Sequence, residues 1–551
     1  MPPCASLELL PREILTHIAH YVAVLPPTGD AAPFAPGPPR DLLCLLCASR
    51  SLHRELSADA NTALYARIFA SVFDTGARAR RMGRAACTPA NLATELVRRF
   101  AALKTVRRYV QHHSRNLDAP RAADDADAAL VDALWCVYVM ALEHDAHNLA
   151  QLRWAHVDEL VDLHAVHTLC DHLVHQRYPP APLSVCLAMH IRYTLAAIRA
   201  PAHGDARYSD EHDYLFLLLK PFVFAAHEYA MFYGPWTART LPSGRAVRDD
   251  TPDPDADADA DAERLAAPLV SLAATSLLFA CTARAMHASS LKMRLDARVA
   301  HAAPRTRTSR DFDVDYARLR RCYDAHDAPG LRLDDHVGRF AGVWEGRFAF
   351  FDLDAYRSML DGSATALYDG TFGEQTQVLR LSEAVVGMSS DGVAQYHEDM
   401  LSDAPLDAPG MDKMRRAAPR TPPPPARDGQ QPFVSHADGA PPLDADTMLR
   451  EWRRLPFWSD DEPPSAQDEQ RELLLYGTGH SAWGKFFVRG RVRAWDGLVV
   501  LLKEYGPGRQ GRWLYRGYCV AGSELVGRWR DAYTPTALHG YEGPFLLTRR
   551  S

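Results

Sequence analysis

Apolar residues near the start of the chain are spaced as they are on one face of a helix. Four of them set the pattern, namely Ile14, Leu15, Ile18 and Val22. Pro11 stands just ahead of them, in the first turn, where its missing N–H leaves no hydrogen bond unmade. The pattern predicts a first helix that begins near Pro11.

Two further helices are predicted before residue 74. After a Pro- and Ala-rich loop over residues 25–40, Asp41 is a suitable N-cap for an apolar run, Leu42–Cys47. A third helix is indicated by apolar residues at helical spacing within 63–73. We therefore expect residues 1–73 to form a small helical module.

Residues 74–335 carry alanine, leucine, arginine and histidine at helical spacing, which predicts a helical middle domain. Within it, the run Leu134–Met140 is typical of a core helix. Repeated Asp-Ala pairs predict a disordered acidic loop over residues 246–263. The uncharged run Leu265–Ala283 is nearly long enough to cross a bilayer, but its proline, hydroxyl and alanine residues favour a buried helix.

The hydrophobic pattern changes to period two towards the C-terminus. Large apolar residues alternate with charged ones over residues 344–350 and again over 486–494, which is typical of half-buried strands. Asp496-Gly497 then supplies a hairpin turn, because both residues tolerate positive φ. Four more strands are expected, at 499–502, 513–518, 524–529 and 544–549.

Many short strands separated by glycine predict a closed antiparallel β-barrel over residues 336–551, since closure removes exposed strand edges. A Pro-, Asp- and Arg-rich segment, 388–472, interrupts it and is expected to be disordered apart from a short helix near residues 448–453. The expected fold class is therefore α+β multidomain, with N-terminal helices, a helical middle domain and a C-terminal antiparallel barrel.

Length and charge narrow the function. A chain of 551 residues exceeds the ~250–300 residues of a single core, which agrees with several domains. A net charge of -7 argues against a nucleic-acid-binding surface. Ten scattered cysteines, many in apolar runs, favour reduced and buried thiols, and the first residues do not form a signal peptide. We expect a cytoplasmic and/or nuclear protein without a membrane partner.

Two groups of residues could suggest a metal site or a redox site, but a role in packing is the favoured interpretation. His164, His167, Cys170, His172 and His175 crowd one segment but drift around the helix, so a metal site is not expected. The Cys44-x-x-Cys47 pair lies within a leucine-rich helix, where packing is the favoured interpretation.

Catalytic machinery is not expected either. Residues 143–145, Glu-His-Asp, fit the solvated or interdomain side of a helix. The sequence also has no nucleophile elbow, phosphate loop or metalloprotease motif. We therefore expect no catalytic residue, no cofactor and no metal.

The opening Leu9–Leu15, followed by Asp41–Leu46 and Ser49–His53, resembles an F-box over residues 6–58. The resemblance implies a module that binds a Skp-type adaptor and, through it, a cullin. It implies partner contacts from Leu10, Pro11, Ile14, Leu15, Ile18, Leu42, Leu45 and Leu46. The loop between the first two helices is longer than is usual for the family, which loop-closure entropy tolerates.

The continuation Leu64–Phe69 looks like that of large fungal F-box proteins, and the C-terminal strands are similar to lipocalin-like barrels appended to some of them. The barrel resemblance rests on Gly342–Gly346, Gly477–Gly479, Gly484–Phe486, Gly490, Lys503–Tyr505 and Trp513–Gly517. Together these resemblances imply a non-catalytic adaptor of an SCF-type ubiquitin ligase. The adaptor would recruit an unknown protein substrate through its C-terminal region.

Other functions stay open at this point. The barrel could serve only as a structural cap, since small barrels are often filled by their own side chains. It could instead sense a small apolar molecule, which predicts apolar walls with a few polar groups. An enzyme built on the barrel predicts titratable groups with shifted pKa values clustered in one place.

Overall fold

The computed structural model describes twelve segments of the chain. They are residues 7–25, 34–114, 124–198, 210–225, 227–233, 265–288, 307–323, 328–363, 367–387, 471–505, 511–532 and 540–550. The predicted acidic loop, and the predicted insertion apart from residues 471 and 472, lie outside these segments, as does the short helix expected near 448–453.

The described N-terminal and middle regions are helical, as predicted. The first ten helices are α1 Arg12–Val24, α2 Arg40–Ala48, α3 Arg50–Leu56, α4 Thr62–Val72, α5 Gly76–Met82, α6 Pro89–His113, α7 Asp124–Leu142, α8 His147–Trp154, α9 Val157–Val174 and α10 Leu183–Ile198. The remaining described helices are α11 Asp210–Phe224, α12 Val270–Ala288, α13 Asp313–Arg321 and α14 Leu353–Leu360.

The C-terminal strands form a closed antiparallel barrel, which confirms the predicted fold class. The strands are β1 Gly342–Phe351, β2 Phe372–Gly387, β3 Arg471–Ser481, β4 Gly484–Val492, β5 Leu498–Tyr505, β6 Arg512–Val520, β7 Glu524–Asp531 and β8 Glu542–Arg549. Each strand pairs with the next along the chain, and β1 closes the barrel against β8, with Phe348 opposite Phe545.

The chain divides into two compact units. Unit 1 comprises Met1–Cys170, Pro182–Ala200 and Thr306–Tyr316, and unit 2 comprises Asp171–Ala181, Pro201–Arg305 and Ala317–Ser551. Unit 1 thus holds the first eight helices and α10, whereas α11 and α12 lie with the barrel in unit 2. The three-part division at residues 73 and 335 stays a prediction.

The start of unit 1 differs in detail from the expected three helices. α2 begins at Arg40, so Asp41 lies in its first turn, and the predicted Asp41 cap is wrong. The F-box-like stretch Ser49–His53 belongs to a separate helix, α3, because the Ser49 side chain accepts a hydrogen bond from Leu52 N and starts a new helix there.

Hydrogen bonds connect α8 and the residues just before it to other parts of unit 1. The Asp74 carboxylate accepts hydrogen bonds from the four backbone N–H groups of residues 145–148. Although burial opposes ionisation, these N–H groups keep the pKa of Asp74 below its usual value. Gln151 in α8 accepts from Gly37 N at 2.7 Å, which ties the loop before α2 to the same helix.

In unit 2, the helices cover part of the barrel. α12 packs on β7 and β8, and its residues from Val270 to Phe279 are largely buried, as predicted for this apolar run. Arg528 on β7 points out of the barrel and donates hydrogen bonds to Val223 O and Phe224 O, the last two carbonyls of α11, which have no partner within the helix. Within the described segments, no helix is both long and apolar enough to cross a bilayer.

Candidate functional site

Helix α1 is apolar on two opposite faces. Its inner face buries Leu15, Ala19 and Ala23 in unit 1. At 100° per residue, Ile14, Tyr21 and the adjoining Leu25 fall on the opposite side, where they are 46%, 57% and 60% exposed. A helix that packs on a globular core needs only one apolar face, and the described residues do not cover the second face of α1.

Exposed apolar side chains concentrate at this end of the chain. Among the described residues, ten large apolar side chains are clearly exposed, and five of these fall within the first 43 residues. The five are Leu9, Ile14, Tyr21, Leu25 and Leu43, and we call them the N-terminal apolar set. Exposed apolar residues that share one side of a helix, as Ile14 and Tyr21 do on α1, are typical of a protein interface.

Polar contacts fix which face of α1 turns outward. Asn61 donates to Thr16 Oγ1 at 2.9 Å and accepts from Leu64 N at 3.1 Å, so it caps α4 and binds α1 at the same time. His20 Nε2 lies 3.1 Å from Ser71 Oγ on α4. These contacts turn Thr16 and His20 of α1 toward α4, and they therefore leave Ile14 and Tyr21 on the solvent-facing side of the helix.

The eight residues assigned to partner contacts have different exposures. Two are exposed, Pro11 and Ile14; four are partly buried, Leu10, Ile18, Leu45 and Leu46; and two are buried, Leu15 and Leu42. The buried pair packs inside unit 1 and can meet a partner only if the module opens. Their assignment as a contact set stays a prediction.

Four exposed residues were missed by the sequence assignment: Leu9, Tyr21, Leu25 and Leu43. The spacing of Ile14, Ile18, Tyr21 and Leu25 already marks one helical stripe, so this signal was present in the sequence. In α2 the apolar run does not indicate which side of the helix faces solvent, since every position from 42 to 47 is apolar. The exposed positions there are Leu43, Cys44 and Cys47, so packing is the wrong interpretation of this cysteine pair.

The barrel interior has two chemically different ends. Apolar side chains fill the end that includes Trp344, which is fully buried and donates from Nε1 to Phe340 O at 2.7 Å. Its partners in the core include Leu379, Leu381, Leu473, Leu475, Val492, Leu525 and Leu547. The opposite end holds polar and aromatic side chains around Lys503.

Lys503 on β5 is buried inside the barrel, with 2% of its surface exposed. Its Nζ donates to Gln377 Oε1 at 2.8 Å and lies 3.5 Å from Tyr515 Oη. Burial lowers the pKa of Lys503 to about 7 and raises the pKa of Tyr515 well above its usual value. The sequence pattern does not indicate this cluster, because Gln377 lies on β2, a strand that the pattern does not predict.

The other residues considered in the sequence as candidate sites form structural contacts or are not arranged as a site. Glu143 is buried and forms an ion pair with the fully buried Arg99, so of the two expected positions, solvated or interdomain, the solvated one is wrong. In the part of the chain that the structure describes, no group of three or more histidine, cysteine and acidic side chains is arranged to hold a metal ion.

Comparisons with known proteins add no relative. No protein-family model matches the chain, and neither a curated protein nor a solved structure matches it. Two features of the molecule therefore bear on its function, the N-terminal apolar set and the Lys503 end of the barrel.

Proposed function

We propose that this protein is a substrate-recruiting adaptor of an SCF-type cullin-RING ubiquitin ligase. It would bind a Skp-type subunit through α1 and α2 and a protein substrate through its C-terminal region. The observation that carries the proposal is the second apolar face of α1, with Ile14 and Tyr21 exposed opposite the buried Leu15 and Ala19. The F-box-like sequence of residues 6–58 supports the same assignment.

The exposures refine which residues would touch the adaptor. Pro11 and Ile14 belong both to the F-box-like motif and to the exposed surface. Leu43, at 60% exposed, would extend the contact onto α2. Leu15 and Leu42 would act indirectly, by holding α1 and α2 in place. Burying an exposed side chain of this size contributes about 1.5–3 kcal/mol, enough for a few such residues to anchor an interface.

The protein would contribute proximity and orientation to the ligase and no catalytic side chain. The Skp-type subunit would connect it to the cullin, and a conjugating enzyme bound to the RING subunit would carry out the chemistry. No cofactor, nucleic acid or membrane is needed for this role, and the cytoplasm and/or the nucleus would be its place of action.

The test is capture of the purified full chain by an immobilised Skp-type adaptor. We expect the wild type to bind. The exposed-face variant Ile14→Ser/Leu43→Ser should lose roughly 100-fold or more in affinity, since two anchor residues worth about 1.5–3 kcal/mol each are removed. Affinity would be measured by surface-based binding kinetics at one salt concentration.

A matched control comes from α6, where Val97 is 57% exposed, close to the exposure of Leu43. Val97→Ser removes the same kind of apolar surface elsewhere in unit 1 and should leave binding unchanged. Leu15→Ala should weaken binding only together with a loss of thermal stability, because Leu15 is buried. If the folded wild type does not bind, or if Val97→Ser weakens binding as much as the α1–α2 variant, the adaptor proposal is wrong.

A further inference from the structure

At the Lys503 end of the barrel, no described carboxylate neutralises the charge of the Lys503 ammonium group. The described residues include no carboxylate paired with Lys503, and burial alone accounts for its lowered pKa. The adjacent Glu504 points out of the barrel and pairs with Arg489 and Arg512. On the outer face of β5, a carboxylate is therefore paired with arginines. On the inner face, the buried Lys503 amine has no carboxylate partner among the described residues.

The Gln377 side chain beside Lys503 has a buried donor that no described residue satisfies. Gln377 is 2% exposed, and its Oε1 accepts hydrogen bonds from Lys503 Nζ at 2.8 Å and from Tyr515 Oη at 3.3 Å. Its Nε2 has no hydrogen-bond partner among the described residues. The two bonds to Oε1 fix the orientation of the amide, so Nε2 cannot be exchanged with it. Leaving a buried donor unpaired costs about 1–3 kcal/mol.

Aromatic rings surround these two donors. Lys503 Nζ lies 4.1 Å from the ring centroid of Phe486, 5.0 Å from that of Tyr505 and 5.1 Å from that of Phe348. Ring faces stabilise an ammonium group, but they satisfy an amide N–H such as that of Gln377 only weakly. Farther out, Phe350, Trp483, Trp513 and Tyr541 pack on this core and remain partly exposed. Solvent therefore reaches the aromatic end of the barrel.

We infer that this end of the barrel binds a small aromatic carboxylic acid. The carboxylate would pair with Lys503 and accept a hydrogen bond from Gln377 Nε2, and the aromatic ring would pack among the outer aromatic side chains. A carboxylate matches both unmet requirements at once, since it carries the missing negative charge and has enough lone pairs for both donors. An aromatic body matches walls made of ring faces and edges.

This inference does not rest on the adaptor proposal. The N-terminal apolar set is exposed whether or not the barrel holds a ligand. Loss of adaptor capture in α1 or α2 variants therefore leaves the barrel proposal untouched, and the reverse also holds.

The experiment is calorimetric titration of the full chain with 2-naphthoate, compared with the uncharged naphthalene-2-methanol. At about pH 6, where Lys503 is charged, we expect 2-naphthoate to bind roughly tenfold or more tightly than the alcohol. Lys503→Met keeps an unbranched side chain of similar length and removes the charge. It should lose that preference while it still binds the alcohol. Gln377→Met should weaken naphthoate binding severalfold.

Lys485→Met is the matched control, because Lys485 is exposed on the neighbouring strand β4 and its loss should leave both affinities unchanged. Thermal unfolding would show that Lys503→Met stays folded, and removing a buried unpaired amine should not lower its stability. The inference is overturned if the folded protein binds no naphthoate at millimolar concentration. It is also overturned if the acid and the alcohol bind equally, or if Lys503→Met binds the acid as the wild type does.

Discussion

Arg493 and Asp496 face each other across the β4–β5 hairpin, with Arg493 Nη2 2.6 Å from Asp496 Oδ2 and both side chains buried. The carboxylate also accepts from Tyr518 Oη at 2.8 Å and from Leu498 N at 3.0 Å. Burial disfavours the charged carboxylate, but the Arg493 charge and these hydrogen bonds outweigh it and lower the pKa of Asp496. The pair fixes the turn that the Asp496-Gly497 sequence predicts.

Breaking this ion pair should destabilise unit 2. We expect Asp496→Asn and Arg493→Met each to lower the free energy of unfolding by about 3–5 kcal/mol, because each leaves an unpaired buried charge. The double variant should cost less than the sum by about 1–3 kcal/mol, since no lone charge remains. Urea unfolding followed by tryptophan fluorescence measures the free energy of unfolding of the wild type, the two single variants and the double variant.

The exposed pair Arg357–Asp354 on α14 provides the control, with side chains 67% and 89% exposed. Arg357→Met should change the free energy of unfolding by less than about 1 kcal/mol, because solvent screens this pair. Additive effects of the two Arg493 and Asp496 substitutions would show that the charges do not depend on each other.

Glycine at position 490 is required by the approach of two strands. A Cβ atom there would lie 1.8 Å from Val500 O on β5, a backbone atom that cannot move without shifting the strand. Gly490→Ala should therefore destabilise the barrel by about 3 kcal/mol or more, at the upper end of overpacking costs. Thermal unfolding of the variant measures this effect.

Gly76→Ala is the matched control for this substitution. Its new Cβ would meet only Asp145 Oδ2 at 3.4 Å, an ordinary contact, and alanine is the better helix former at the start of α5. We expect this variant to be as stable as the wild type or slightly more so. Equal stability of Gly490→Ala and the wild type would mean that the strands separate more easily than their packing indicates.

His336 makes the stability of unit 2 depend on pH. Burial lowers the pKa of His336 to about 4, although its hydrogen bond to Ala494 O, at 2.9 Å, raises it slightly. The unfolded chain takes up a proton near pH 6.5, whereas the folded chain does so only near pH 4. The contribution of His336 is thus complete above about pH 6.5 and is lost as the pH falls toward 4, by about 3 kcal/mol.

His336→Gln isolates this contribution from that of the carboxylates, because glutamine keeps an N–H donor but does not titrate. Urea unfolding at intervals from pH 7 to pH 4 should show the wild type losing stability faster than the variant. Parallel pH profiles for the two proteins would contradict the buried, neutral state of His336.

Local patterns in the sequence were enough for most secondary structure. The spacing around Ile14 predicts α1, and the alternation in Trp344–Phe350 predicts β1, because both periodicities follow from the chain geometry within a few residues. The Asp496-Gly497 turn is equally local, since Gly497 adopts φ of +79°. Strands β2 and β3 were missed, because the long insertion separates them and the expected insertion extended into the first two residues of β3.

The tertiary structure decided what local patterns leave open. Ile14 and Leu15 are adjacent and equally apolar, and the contacts of α1 with α2, α3 and α4 determine that Leu15 is buried and Ile14 exposed. Gln377 and Lys503 are 126 residues apart, and closure of the barrel brings them within hydrogen-bonding distance. The sequence by itself determines segments such as α1 and β1, because the periodicity that predicts each of them is local. Which side chains share a surface or a site depends on contacts between distant segments, and these form only when the whole unit packs.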